Sequence, residues 1–140
     1  MKLRLFDAHC DTAYELWRRG ERLARSSCHV DLQKAEDLAA YAQIFAFCSY
    51  AGEPQGMQPE RLLREPLAYL RDEVRQNAER IAFAASPEEV KALTEAGTTA
   101  ALLSVEGPEV IGCDPDALEG LRQEGFVMTT LTWNAGNTLA

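Results

Sequence analysis

The sequence lacks several features that would place the protein in other classes. It contains two histidines, and none follows His29. It has no run of about 20 apolar residues, the length needed to span a bilayer. Lysine and arginine number 14 against 22 aspartates and glutamates, whereas a nucleic-acid surface needs clustered basic side chains to neutralise phosphates. We therefore expect neither a membrane nor a nucleic-acid partner.

The cysteines are too dispersed for a disulfide framework or a structural zinc knuckle. They are Cys10, Cys28, Cys48 and Cys113, and no two of them form a Cys-x-x-Cys pair. The first seven residues become charged before the apolar region of an export signal could form. We therefore predict a cytoplasmic protein with reduced thiols.

Apolar runs alternate with segments of helical periodicity along the chain. Hydrophobic residues make up 46% of the 140 residues, which suits a single domain over residues 1–140. Strands are predicted at residues 3–6, 41–50, 98–105 and 126–132, a brief apolar run lies at 81–84, and helices are predicted at 13–19, 59–79, 86–97 and 114–125. Ser86 and Pro87 form a specific helix start, with a capping-box glutamate behind them. This alternation predicts an α/β fold of parallel βαβ units with right-handed crossovers.

The first strand leads directly into His9-Cys10-Asp11. Ligands in α/β folds gather at the carboxyl ends of the strands, and residues two apart in an extended segment point to the same side. An imidazole and a carboxylate can therefore converge here on one cation, and zinc accepts both donors. His29 and Asp31 have the same spacing but follow no apolar strand, so we predict a turn or a helix start there.

Glu106 is the second informative residue, because it directly follows the buried strand predicted to end at residue 105. A buried carboxylate needs a positive partner, although a strand-end glutamate can also face water or cap a helix. With His9 and Asp11 at an equivalent level of the sheet, we favour a shared metal site. These donor types do not distinguish zinc from other divalent metals. Cys10 is predicted to be a buried small residue facing away from this site rather than a soft metal contact.

Four parts of the chain resemble the renal or membrane dipeptidases and their bacterial relatives, which are zinc peptidases built on a TIM barrel. They are residues 6–12, residues 29–32 with 42–45, residues 104–107 and residues 128–134, in the family's order and at about its spacing. The opening Phe-Asp-Ala-His-Cys-Asp-Thr is similar to the family's Asp-Gly-His-Asn-Asp-Leu motif, with Ala8 and Cys10 in place of the glycine and asparagine.

The resemblance implies a dinuclear zinc centre that hydrolyses dipeptides. His9 and Asp11 would bind one zinc, and Glu106 would bridge it to a second. In the family, two histidines for the second zinc and a proton-shuttling aspartate come from later strands. We therefore expect at most one zinc on this chain, and we expect the proton shuttle to lie outside it. Trp133 stands where mammalian-type members have a substrate-polarising histidine, and it is a candidate for packing against an apolar substrate side chain.

The sequence ends eight residues after its last predicted strand, without a covering helix. We therefore predict the amino-terminal half of a TIM-barrel dipeptidase. The sequence leaves a homo-oligomer open, and three alternatives remain. Another metal-dependent amidohydrolase barrel would usually open with His-x-His, which Asp11 opposes. A non-catalytic zinc-binding fragment or pseudoenzyme would need a partner chain. A flavodoxin-like binding domain would need an acidic phosphoacceptor or a glycine-rich phosphate loop after the first strand, and the loop is absent.

Overall fold

Strands and helices alternate along the described part of the chain, which comprises residues 2–48, 58–133 and 136–139 of a computed structural model. The strands are β1 (Arg4–Cys10), β2 (Ala40–Phe47), β3 (Ile81–Phe83), β4 (Thr99–Glu106) and β5 (Phe126–Thr130). The helices are α1 (Thr12–Arg19), α2 (Pro59–Gln76), α3 (Pro87–Glu95) and α4 (Ala117–Gln123), and a 3₁₀ turn covers Pro108–Ile111. Ser49 and Tyr50, the predicted end of the second strand, lie outside the described residues, as do Asn134 and Ala140.

All strand pairs in the sheet are parallel. Strand β1 pairs with β2, β2 with β4, and β4 with β5. The short β3 pairs with residues 99–101 of β4, whereas β5 pairs with residues 103–106. Four strands therefore follow one another across the sheet in chain order, and the predicted parallel βα units are confirmed.

The start of α3 shows how local sequence fixes an element. The Ser86 hydroxyl accepts a hydrogen bond from the Glu89 backbone N–H (3.2 Å), and the Glu89 carboxylate accepts one from the Ala85 N–H (2.7 Å). Backbone donors at the helix start, which have no partner within the helix, are thereby satisfied. The predicted start signal is confirmed.

The two faces of the sheet carry separate hydrophobic clusters, because successive residues of a strand point to opposite sides. On one face, Phe45 of β2 and Leu103 of β4 pack with side chains of α1 and α2, among them Leu16 and Leu67. On the other face, Ala42, Ile44, Ala100 and Leu102 pack with Ala84 and with Val90 and Leu93 of α3. Alternation along β4 places Glu106 on this second face, at the carboxyl end of the strand.

No helix in the part of the chain that the structure describes is long and apolar enough to cross a membrane.

Candidate metal centre

A bulge in β1 directs His9 away from the helical core. Asp7 pairs with Gln43 and Cys10 pairs with Phe45, so β1 advances three residues while β2 advances two. Cys10 shares the face of Phe45 and belongs to the same hydrophobic cluster, which places His9 on the opposite face. Bulges of this kind change the direction of a side chain and occur often beside active sites.

Polar groups of neighbouring residues satisfy the backbone where the bulge interrupts regular pairing. The His9 N–H donates to Asp7 Oδ1 (3.2 Å), and the buried Gln43 side-chain amide donates to the Asp7 carbonyl (3.4 Å) and to the Ile44 carbonyl (2.9 Å). Burying Gln43 is acceptable because its polar atoms are hydrogen-bonded. This role of Gln43 depends on the pairing of β1 with β2 and has no signal in the local sequence.

His9, Asp11 and Glu106 converge at the carboxyl ends of β1 and β4. His9 Nε2 lies 3.5 Å from Asp11 Oδ1 and 3.5 Å from Glu106 Oε2. One ligand atom from each of the three residues can be chosen so that all lie within 4.8 Å of one another. Two donors bound at about 2.1 Å to a tetrahedral ion are about 3.4 Å apart. The two histidine–carboxylate distances therefore match those of donors that share one zinc ion.

Asp11 offers an independent test of whether this site fits a cation. Its Oδ1 atom is shielded from solvent and has no hydrogen-bond partner among the described residues, although the Asp11 side chain as a whole is 46% exposed. Its contact with His9 is an ion pair only when that imidazole is protonated. A buried carboxylate oxygen without a partner is costly, and a bound cation would remove that cost. The three side chains therefore fit a divalent metal.

Two of the metal-ligand candidates, His9 and Asp11, line a cleft of about 550 Å³ between β1, α1 and the loop that follows α1. Glu15 and Arg19 of α1 line this cleft, as does His29 from the loop. Arg18 and Arg19 both form ion pairs with Glu15 (2.8 and 2.5 Å), and the hydrogen bond from Arg18 helps to hold the pKa of Glu15 below its ordinary value. The α1 wall of the cleft beside His9 and Asp11 therefore carries charges that are paired within the helix.

The loop around His29 confirms one sequence-based interpretation and adds an unpredicted position. The buried Asp31 carboxylate accepts hydrogen bonds from the backbone N–H groups of Ser26 (2.9 Å) and Lys34 (2.8 Å), as a turn residue does. The predicted turn at His29 and Asp31 is confirmed. The loop also brings the exposed His29 to the cleft that His9 lines. This position depends on tertiary contacts, and the local sequence contained no signal for it.

Cys10 is a core residue, as predicted. Burial of its side chain raises the pKa of the Cys10 thiol to about 12. Its side chain belongs to the face opposite His9, which directs the thiol away from the candidate metal site.

Glu106 is followed by a sharp change of backbone direction at Gly107, which has φ +81° and ψ 135°. The Gly107 N–H donates to the Thr130 hydroxyl of β5 (2.8 Å). Trp133 lies beside this turn, since a Cβ atom added to Gly107 would be 3.6 Å from Trp133 Cβ. Trp133 is thus located next to the end of β4, and its role in substrate binding stays a prediction.

Comparison with protein-family models identifies one family. The family model described as "Membrane dipeptidase (Peptidase family M19)" matches residues 1–140. No curated protein matches the sequence.

Three solved structures show the fold. A metallo peptidase from Rhodobacter sphaeroides, liganded with a phosphinate mimic of the dipeptide L-Ala-D-Ala, has 19% identity and a TM-score of 0.78, over 97% of this chain and 47% of that one. The dipeptidase AC, a metallo peptidase of family M19, has 23% identity and a TM-score of 0.75, over 95% and 44%. The "probable dipeptidase PvdM" from Pseudomonas aeruginosa has 19% identity and a TM-score of 0.76, over 96% and 36%. This chain spans less than half the length of each, and its fold is the amino-terminal half of a TIM barrel.

Proposed function

The chain belongs to the membrane dipeptidase family, and from that premise we propose that His9, Asp11 and Glu106 bind zinc in the first half of a dinuclear dipeptidase site. The proposal is carried by one observation above the others: His9 Nε2 is 3.5 Å from a carboxylate oxygen of each acidic residue, close to the separation of donors around a zinc ion. Asp11 Oδ1, which has no hydrogen-bond partner among the described residues, also supports it.

Each side chain has a distinct part in this proposal. His9 near the end of β1 and Asp11 directly after it would hold the ion together with Glu106 at the end of β4. As the family resemblance implies, Glu106 would also be a ligand of the second zinc. When bound, zinc polarises a peptide carbonyl and favours ionisation of a water molecule. The chain has no histidine after His29, so the two histidines that bind the second zinc in the family are not part of these 140 residues. The residue that shuttles protons stays unassigned.

We propose dipeptides as the substrates of the completed site. The family supports this assignment, and the related metallo peptidase from Rhodobacter sphaeroides is liganded with a dipeptide mimic. The cleft beside His9 and Asp11, about 550 Å³ in volume, has the size of a small-ligand pocket. Trp133 would pack against an apolar side chain of the peptide. Zinc as the metal and the cytoplasm as the compartment belong to the same proposal.

A second candidate function is a metal-binding chain that is not catalytic without a partner chain. Its support lies at the two outer strands, where large apolar side chains are exposed: Leu3 and Phe6 on the β1 side, and Val127 and Leu131 on the β5 side. Exposed apolar residues beside a strand edge favour association. Under this alternative the zinc site forms as described, but dipeptide hydrolysis requires a complementary chain.

Zinc titration of the 140-residue chain by calorimetry tests the proposal. We expect a single zinc site, and at least about a 10-fold loss of affinity in Glu106→Gln, since even outer-shell changes around a metal cost that much. Glu109→Gln, which removes the same charge from the turn after β4 but leaves the three candidate ligands intact, is the control and should keep the affinity.

The same preparation separates the two candidate functions. We expect no dipeptide turnover by the chain alone. If the wild-type chain hydrolyses dipeptides and Glu106→Ala abolishes this activity, both the incomplete site and the requirement for a partner chain are contradicted. Absence of zinc binding, or equal affinities of the wild type and Glu106→Gln, would overturn the metal site.

A further inference from the structure

The hydrogen bond between Gly107 and Thr130 fixes the peptide that follows Glu106. Glu106 is the last residue of β4, and the turn at Gly107 begins immediately behind it. The Gly107 N–H donates to Thr130 Oγ1 at 2.8 Å. A side-chain hydroxyl therefore acts as the acceptor for the first N–H beyond the strand.

The sheet register makes this hydrogen bond specific for Glu106. Glu106 and Thr130 are direct partners in the parallel pairing of β4 with β5. Thr130 thus holds the peptide group that joins Glu106 to Gly107, and the orientation of that peptide sets the direction of the Glu106 side chain. Gly107 is buried, so its N–H would be costly to leave without an acceptor.

The geometry points to Thr130 as a positioning residue of the metal site: its hydroxyl holds the end of β4 so that Glu106 Oε2 faces His9 Nε2. This inference rests on the proposed function, because it assigns Thr130 to the site of His9, Asp11 and Glu106. Thr130 is outside that group of candidate ligands, and it acts through the backbone of Gly107 alone.

A purely structural role of Thr130 would change folding stability and zinc affinity together, whereas a positioning role would change mainly the zinc affinity. Its side chain is exposed, so replacing the hydroxyl by a methyl group removes little core packing. Metal ligation, in contrast, is sensitive to the direction of each donor, and residues that orient ligands typically change metal affinity by about 10- to 100-fold when mutated. A loss of affinity that exceeds the loss of folding stability therefore distinguishes positioning from general stabilisation.

The test compares Thr130→Val, which is nearly isosteric but has no acceptor, with Thr130→Ser, which keeps the hydroxyl. Zinc affinity is measured by competition with a chromophoric chelator, the stability of the zinc-free chain by urea denaturation, and protection of the Gly107 amide by hydrogen exchange. We expect Thr130→Val to lose protection at Gly107 and to bind zinc about 10-fold more weakly, with Thr130→Ser close to the wild type. Thr132→Val, an exposed threonine just beyond β5, is the matched control and should leave all three readouts unchanged.

The outcomes separate this inference from the proposed function. If the wild type binds zinc and Thr130→Val loses Gly107 protection but keeps full affinity, the positioning role is wrong while the metal site stands. A proportionate loss of affinity and stability in both Thr130 variants would also refute it. If the wild type binds no zinc, the proposed metal site itself fails.

Discussion

Replacing Gly107 with alanine perturbs the end of β4 without touching a candidate ligand. Gly107 has φ +81° and ψ 135°, a combination outside the left-handed helical region and open mainly to glycine. A Cβ atom there would also meet the Glu109 carboxylate. That carboxylate accepts a hydrogen bond from the Asn137 side chain (3.0 Å), so displacing it disturbs a second contact.

The expected cost follows from two opposing effects. A non-glycine residue in a sparsely populated backbone region costs about 1–3 kcal/mol. Alanine also restricts the unfolded chain, which stabilises the folded state by about 0.4–1 kcal/mol relative to glycine. We expect Gly107→Ala to lower the free energy of unfolding by about 1–2 kcal/mol. Because Glu106 precedes this turn directly, we expect zinc affinity to fall as well.

Gly20→Ala is the matched control. Gly20 ends α1 with φ 66° and ψ 26°, in the left-handed region, and a Cβ atom added there would meet no atom within 4 Å. Alanine in that region costs about 1–2 kcal/mol before the same unfolded-state correction. Urea denaturation of the zinc-free chains and zinc competition should therefore show both variants destabilised, but only Gly107→Ala weakened in metal binding.

Two results would refute this reasoning. An unchanged stability of Gly107→Ala would mean that the backbone relaxes from the strained conformation at no cost. Equal loss of zinc affinity in Gly107→Ala and Gly20→Ala would mean that general destabilisation, rather than the direction of Glu106, controls the metal site.

Two further predictions concern buried carboxylates that hold the loop after α1. Burial disfavours the ionised form of Asp31, but hydrogen bonds from Lys34 and the backbone outweigh this effect and lower the pKa of Asp31 below 3.8. The ionised carboxylate therefore contributes its full stabilisation above pH 3.8, and this contribution is lost as the pH falls through the lowered folded-state pKa. Urea denaturation from neutral pH to below pH 3.8 should show a shallower pH dependence of stability for Asp31→Asn than for the wild type, and an identical dependence would contradict the assignment. Glu73 accepts a 2.6 Å hydrogen bond from the buried Leu23 N–H through one oxygen and pairs with Arg22 (2.7 Å) through the other. Glutamine has a single oxygen acceptor, so one of these donors would face its NH₂ group, and Glu73→Gln should lower the free energy of unfolding by about 1.5–3 kcal/mol. The exposed Glu79→Gln should not, and equal effects would rule out the buried hydrogen bond as the cause.

Much of the fold could be predicted because its signals are local. The apolar run that became β4 and the Ser86 start of α3 appear at the predicted places, since strand burial and helix capping depend on residues close in sequence. The first strand was predicted to end at residue 6, yet β1 continues to Cys10. That extension depends on pairing with β2 and on the bulge between Asp7 and Cys10, for which the chain segment alone has no signal.

The candidate ligands illustrate the same division. The spacing of His9 and Asp11 predicted that the two side chains would point to one side, and they contact each other at 3.5 Å. Their assignment to a metal rests on the proposal above. Which face of the sheet they occupy was decided by the bulge and by the packing of Cys10 with the helical core.

The sequence by itself determined the order of strands and helices, the start of α3, and the residue types at the strand ends, because these depend on periodicity, capping and local chemistry. Only the tertiary structure decided that Glu106 meets His9 Nε2 at 3.5 Å, that Thr130 holds the Gly107 N–H, and that His29 lines the cleft. These contacts join residues far apart in the chain. Their distances are set by strand register, the β1 bulge and loop packing, which no short stretch of sequence specifies.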